Sequence, residues 1–104
     1  MVTAAMNCLR TDSESESNLQ MSGALDALTV PEIRPIFDAV VAAKKRKVTI
    51  DLDKVTMIDS SGIGAIVSLF KRVKADGGQV VVVGVHDQPL AVFKLLKLDR
   101  AFGL

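Results

Sequence analysis

Apolar positions recur at helical spacing in three stretches of the chain and at strand spacing in others. Ile33, Ile36, Phe37, Val40 and Val41 fall at i, i+3, i+4, i+7 and i+8, which is one buried helical face. The spacing predicts a helix over 30–44. Thr29 followed by Glu32 reads as a capping box at its start. Pro31 falls in the first turn, where its missing N–H costs nothing, while Pro35 predicts a bend or a later start. Ile63, Ile66, Val67, Phe70 and Val73 predict a second helix over 61–76, ended by Gly77-Gly78. Leu90, Phe93 and Leu96, with Leu95 beside them, predict a third over 88–97, entered through the turn His86-Asp87-Gln88-Pro89. The run Lys44-Lys45-Arg46-Lys47 reads as a solvated close to the first helix, suiting the negative end of its dipole.

Val48-Thr49-Ile50-Asp51-Leu52 alternates and reads as a strand, with Asp53-Lys54 as a turn after it. The β-branched run from Val80 to Val85 reads as a strand buried on both faces, as in a parallel sheet. Two short strands near 5–10 and 17–22 flank the polar segment Thr11 to Asn18, an exposed hairpin turn. Strand 48–52, helix 61–76 and strand 80–85 form a βαβ unit, with the right-handed crossover expected of such units. The pattern predicts a single α/β domain over 1–104, a mixed sheet flanked by helices.

Composition narrows the function. In 104 residues, 49% are apolar and 24% charged, the balance of a globular chain long enough to bury one core. Thirteen basic and twelve acidic residues leave a net charge of +1, and Trp and Tyr are absent. There is thus no electrostatic or stacking case for nucleic acid. Met1 to Leu9 lacks the features of a leader peptide. No apolar stretch approaches the ~18 residues of a membrane span. The single cysteine, Cys8, excludes an internal disulfide and suits a reducing cytosol. It reads as a half-buried strand residue.

Candidate chemistry concentrates at Asp59-Ser60-Ser61-Gly62, where a strand turns into a helix at the carboxyl edge of the sheet. A helix start offers free N–H groups and a positive dipole end, so a serine there can carry a phosphoryl group without unfolding the helix. Asp59 or Ser60 also suits a plain N-cap, and the two roles are compatible. Enzyme readings fare poorly. His86 is the only histidine and reads as a turn residue, without triad spacing to a serine. Gly62-Ile63-Gly64 lacks the further glycine of a dinucleotide loop, and no phosphate-binding G-x-x-x-x-G-K-[ST] motif occurs. Asp51 and Asp53 read as outward charges rather than metal ligands, so neither metal nor cofactor is expected.

The segment Val48 to Val85, with Ile-Asp-Ser-Ser-Gly-Ile-Gly at 58–64 and Gly-Gly at 77–78, resembles the STAS domain of bacterial anti-sigma factor antagonists. Gly23 to Arg34, reading GALDALTVPEIR, resembles that family's first strand-to-helix loop, and Leu95-Leu96-Lys97-Leu98-Asp99 its penultimate helix. The likeness spans residues 18–104. It implies a cytoplasmic, non-catalytic partner switch: the unphosphorylated domain binds an anti-sigma factor that is also a serine kinase. The serine after the aspartate is phosphorylated, Ser60 here with Ser61 minor at most, and a PP2C-type phosphatase reverses it. Asp26, Thr29, Asp59, Ser61, Gly62 and Ile63 are implied as the phosphosite surroundings and partner surface. Members usually continue with a further strand and a C-terminal helix, expected to be short or absent here. Related switches govern outputs other than a sigma factor. A second role implied by the resemblance is that of a docking subunit, in a lipid-transport ATPase complex or a sensory scaffold.

Overall fold

Ser17, Leu19 and Met21 alternate with exposed Asn18 and Gln20, so this segment can only be a strand with one face in a core. The computed structural model, which describes residues 6–104, places it in β2 (Glu16–Leu25), after β1 (Met6–Asp12). The first residue expected of a strand at 5–10, and the leader reading at positions 1–5, lie outside the described residues. The chain continues as α1 (Val30–Ala42), β3 (Lys47–Ile58), α2 (Ser60–Ala75), β4 (Gln79–Val83) and α3 (Asp87–Leu95). The sheet order is β1-β2-β3-β4. β1 and β2 form an antiparallel hairpin, whereas β2 with β3 and β3 with β4 are parallel. Two successive strand–helix–strand crossovers therefore build the sheet, in a mixed α/β domain as expected.

Several elements differ from expectation for identifiable reasons. Both strands of the hairpin run further into the polar segment, leaving a turn of Ser13-Glu14-Ser15 closed by Ser13 N–H to the Glu16 carbonyl at 2.9 Å. The basic run is more than a solvated cap. Lys45 Nζ donates to the Ser13 and Glu14 carbonyls at 2.8 and 3.1 Å, and Arg46 N–H to the Ser15 carbonyl at 2.8 Å. It staples the hairpin turn to the start of β3.

Asp53-Lys54 is not a turn: β3 runs through it. Between Gln20↔Asp51 and Ser22↔Lys54 the strand β3 advances three residues against two on β2, which is a β-bulge. Asp51 Oδ1 accepts the Asp53 N–H there at 2.9 Å, so the polar pair marks a bulge rather than a reversal. The run at 80–85 is not buried on both faces. β4 is the edge strand and ends at Val83, which is 42% exposed, while Val80 and Val82 face the core. In α3 only Pro89 and Phe93 are buried. Leu95 and Leu96 point to water, because the chain leaves the helix at that point.

Pro35 lies inside α1, which nevertheless starts at Val30. Pro31, whose carbonyl loses its helical donor, is exposed to water. Ile33, Phe37 and Val40 of α1 and Ile63, Ile66, Leu69 and Val73 of α2 fill the core over the sheet. Arg72 of α2 bonds Asp38 of α1 at 2.7 Å. The rings of Phe70, Phe93 and Phe102 meet edge to face at centroid distances of 5.0 and 5.5 Å, closing the core below the final residues. Among the described residues no helix is long and apolar enough to cross a membrane.

Candidate functional site

Two strand-to-helix loops meet at one edge of the sheet. β2 and β3 are parallel neighbours whose last residues, Leu25 and Ile58, are in register, so both chains leave the sheet at the same height. The loop after β3 is a single residue, Asp59. Asp59 takes an extended conformation, and its Oδ1 accepts the Gly62 N–H at 3.0 Å. It is the N-cap of α2. Its other oxygen, Oδ2, accepts the N–H of Ala27 at 3.3 Å, and its own N–H donates to the Leu25 carbonyl at 3.2 Å. One carboxylate thus caps a helix and ties the two loops together.

Ser60 and Ser61 occupy the first two positions of α2, and both are exposed. Their N–H groups lie at the free end of the helix and have no partner among the described residues. Gly62 follows, buried. A Cβ there would overlap the Leu25 carbonyl oxygen and come within 2.8 Å of Ile58 Cγ1 and Leu25 Cγ. Only glycine lets α2 start this close to the ends of β2 and β3. Ile63 is buried in the core, so with Gly62 and Thr29, which are also buried, it is withdrawn from the surface expected to meet a partner.

The loop after β2 is held by a box different from the one expected. Thr29 makes no side-chain cap to α1, and Glu32 takes no part. The reciprocal pair is Asp26 and Thr29, three residues earlier. Asp26 Oδ1 accepts the N–H groups of Leu28 and Thr29 at 2.9 and 3.1 Å, and Thr29 Oγ1 accepts the Asp26 N–H at 2.9 Å. The Thr29 hydroxyl donates to the Ala24 carbonyl at 2.8 Å and is buried. Thr29 stays at the N-cap position of α1 without a side-chain cap: its hydroxyl is drawn inward, and the Asp26 carboxylate closes the turn ahead of the helix by reaching two N–H groups at once. Ala27 and Leu28 are pushed outward as a result, and Leu28 is 84% exposed. Nothing in the apolar periodicity singles out Leu28. The signal is the Asp-x-x-Thr spacing, which turns the two intervening residues to solvent.

Asp26, Thr29, Asp59, Ser60, Ser61 and Gly62 therefore lie together at one edge, with Ser60, Ser61 and Leu28 exposed and Thr29 and Gly62 buried beneath them. The clefts of about 280 and 310 Å³ lie elsewhere, beside β4 and against β1. The edge lines neither cleft and exposes Ala27, Leu28, Ser60 and Ser61, which suits a macromolecule better than an enclosed small substrate.

The remaining candidates stand apart. His86 Nδ1 lies 2.5 Å from Asp87 Oδ2, and Nε2 lies 2.7 Å from the Asp53 carbonyl. The Asp53 carbonyl foremost, then the Asp87 carboxylate, raises its pKa. Both nitrogens are engaged away from Ser60, so His86 is no base for that hydroxyl. Cys8 is half-buried as expected, and burial pushes its thiol up to about 11, so at neutral pH it is a protonated, unreactive thiol. Among the described residues no three acidic, Cys or His side chains gather as metal ligands.

The sequence profile of the STAS domain matches residues 11–104. The anti-sigma-B factor antagonist of Staphylococcus aureus is 25% identical over 93 residues, covering 89% of this chain and 86% of the relative. The crystal structure of an anti-sigma factor antagonist from Mycobacterium paratuberculosis superposes with a TM-score of 0.82 at 25% identity, over 94% of this chain and 83% of that one. The Bacillus cell fate determinant SpoIIAA in its phosphorylated form shares the fold, with a TM-score of 0.73 at 18% identity over 92% of this chain and 86% of that one.

Proposed function

The chain belongs to the STAS domain family, and on that premise we propose that it is a cytoplasmic anti-sigma factor antagonist switched by phosphorylation of Ser60. Its unphosphorylated form binds an anti-sigma factor that is also a serine kinase. Phosphorylation releases that partner, and a PP2C-type phosphatase resets the domain. The chain itself is a regulatory binding protein and not a catalyst. The names of its relatives support the antagonist role.

The observation that carries the phosphorylation reading is the exposed Ser60 hydroxyl at the first position of α2, beside a loop tied to it through Asp59. At that position the kinase can reach the hydroxyl with no unfolding, and any partner resting on the edge covers it. The docking surface comprises the loops at 26–30 and 59–63 and the exposed face of α2. Phosphate adds about −1.5 to −2 charge. Facing a packed partner, a dianion loses its water against groups fitted to a neutral hydroxyl. A loss of about 3 kcal/mol is already more than a hundredfold in affinity.

The test is incubation with ATP and the serine-kinase anti-sigma factor encoded beside the gene, followed by phosphopeptide mapping and binding measurements. Phosphate is expected at Ser60, with Ser61 minor. Ser60→Ala is expected to bind and stay bound, and Ser60→Asp to bind weakly. Phosphate in the serine cluster at 13–17 defeats the reading. Binding that ignores the state of Ser60 favours a docking subunit instead.

A further inference from the structure

Strand β3 outruns its neighbour. β4 pairs only with Lys47–Asp51, whereas β3 continues to Ile58, so its last stretch has no strand on the outer side. On the inner side the Asp59 N–H bonds the Leu25 carbonyl of β2. Hydrogen-bonding groups of successive strand residues face opposite sides, so both main-chain groups of Ile58 face the side that β4 leaves open. Ile58 is 1% exposed, and unpaired backbone groups at such a position are costly.

One side chain takes both. The Ile58 N–H donates to Gln88 Oε1 at 2.9 Å, and Gln88 Nε2 donates to the Ile58 carbonyl at 2.9 Å. A carboxamide carries an acceptor and a donor side by side, as an adjacent strand would present them. Gln88 lies in the first turn of α3, after β4, so a residue distant in sequence completes the sheet at its last rung. The next residue is Asp59, which carries the cap of α2 and the tie to Ala27.

We infer that Gln88 is a positioning residue for the Ser60 edge: its carboxamide replaces a missing strand at Ile58 and sets where Asp59 and Ser60 stand against the 26–29 loop. The inference deepens the reading of Ser60 as phosphoacceptor and rests on it. Gln88 touches no reacting atom. It acts through one peptide, and small misplacements of a reacting group cost large factors in rate.

The test compares the full ¹⁵N-labelled chain with Gln88→Met, which keeps the volume and loses both bonds, and Gln88→Glu, which keeps the acceptor alone. Amide exchange and chemical shifts need no kinase. Phosphorylation is followed with ATP and the serine-kinase anti-sigma factor encoded beside the gene. For Gln88→Met we expect exchange at Ile58 about tenfold faster, moved resonances at Ala27 and Asp59 to Gly62, and kcat lowered about tenfold with KM within about twofold. Gln88→Glu is expected to restore protection of the Ile58 N–H and part of the rate, and it carries the comparison if Gln88→Met fails to fold. Unmoved resonances at Asp59 to Gly62, or an unchanged phosphorylation rate in a folded variant, overturn the inference. If the parent chain is not phosphorylated at Ser60, the functional reading falls alone, and the exchange and shift data still decide whether Gln88 holds the edge.

Discussion

Two glycines of α2, two positions apart, have opposite meanings. Gly62 is wedged against Leu25 and Ile58, while a Cβ on Gly64 meets nothing within 4 Å. Gly62→Ala is therefore an overpacking substitution, expected to cost about 1–3 kcal/mol. Gly64→Ala relieves the entropic penalty of a helical glycine and is expected to stabilise by roughly 0.5–1 kcal/mol. Thermal unfolding of the two variants checks both, since each kcal/mol shifts Tm by about 4–8 °C in a small domain. Equal effects would mean that α2 does not pack on β2 as closely as described. Asp26 shows a further residue-scale point. Its carboxylate is spent on the N–H groups of Leu28 and Thr29, so Asp26→Lys disturbs the loop as well as any partner. Leu28→Asp is the cleaner probe of docking, because Leu28 is 84% exposed and supports nothing inside the chain. We expect it to weaken partner binding by at least about tenfold, a typical effect of losing an apolar anchor, with an unaltered melting curve. Unchanged affinity places the partner elsewhere.

At the scale of elements, the link from β4 to α3 is held by a charge-dependent contact. Both nitrogens of His86 face acceptors, the Asp53 carbonyl and the Asp87 carboxylate, and a second carboxylate, that of Asp53, stands with its Oδ1 3.9 Å from Nε2. A neutral imidazole can donate from one nitrogen only, whereas the imidazolium donates from both. The pKa is accordingly raised in the folded chain, first by the Asp53 carbonyl and then by Asp87. A group with a raised folded pKa contributes stability that is fully present below its unfolded value of about 6.5 and is lost as pH climbs through the folded value. The difference in Tm between the parent chain and His86→Ala is therefore expected to be largest below pH ~6.5 and to fall to a pH-independent remainder at alkaline pH, where the neutral imidazole keeps one donor. A difference that grows with pH would refute the contact. The exposed position of His86 keeps the effect small.

At the scale of the molecule, the proposed switch at Ser60 is expected to work without remodelling the fold. The start of α2 tolerates added negative charge by roughly 0.3–1 kcal/mol at an exposed site, and the N–H groups of Ser60 and Ser61 are free to bond it. Asp59 opposes it by repulsion, so the internal contributions nearly cancel. Comparison of amide chemical shifts between phosphorylated and unmodified chains is expected to show changes confined to 26–30 and 58–64. Shifts spread through Val48–Leu52 and Val80–Val83 would point instead to a conformational relay.

The helical faces of α1 and α2, the alternation of β3 and the Gly77 stop are local patterns, and they could be read from the chain alone. Gly77 indeed takes a left-handed φ of 83°, with Gly78 N–H bonding the Val73 carbonyl at 2.9 Å, as a helix-ending glycine must. The Asp59-Ser60-Ser61-Gly62 turn was equally legible, because a cap and its helix lie within one turn of each other. What only the tertiary structure decided depends on groups distant in sequence. Whether Asp53-Lys54 reverses the chain or bulges it depends on the register of β2, and the burial of Val83 depends on which strand lies at the edge. The failure of Thr29 to cap α1 with its side chain depends on the Ala24 carbonyl drawing the Thr29 hydroxyl inward. The hold of Gln88 on Ile58 spans 30 residues, and no periodicity encodes it. Short-range periodicity reports which face of an element is apolar. It carries no record of which backbone group a neighbouring strand leaves without a partner, and that is where the Ser60 edge acquires its geometry.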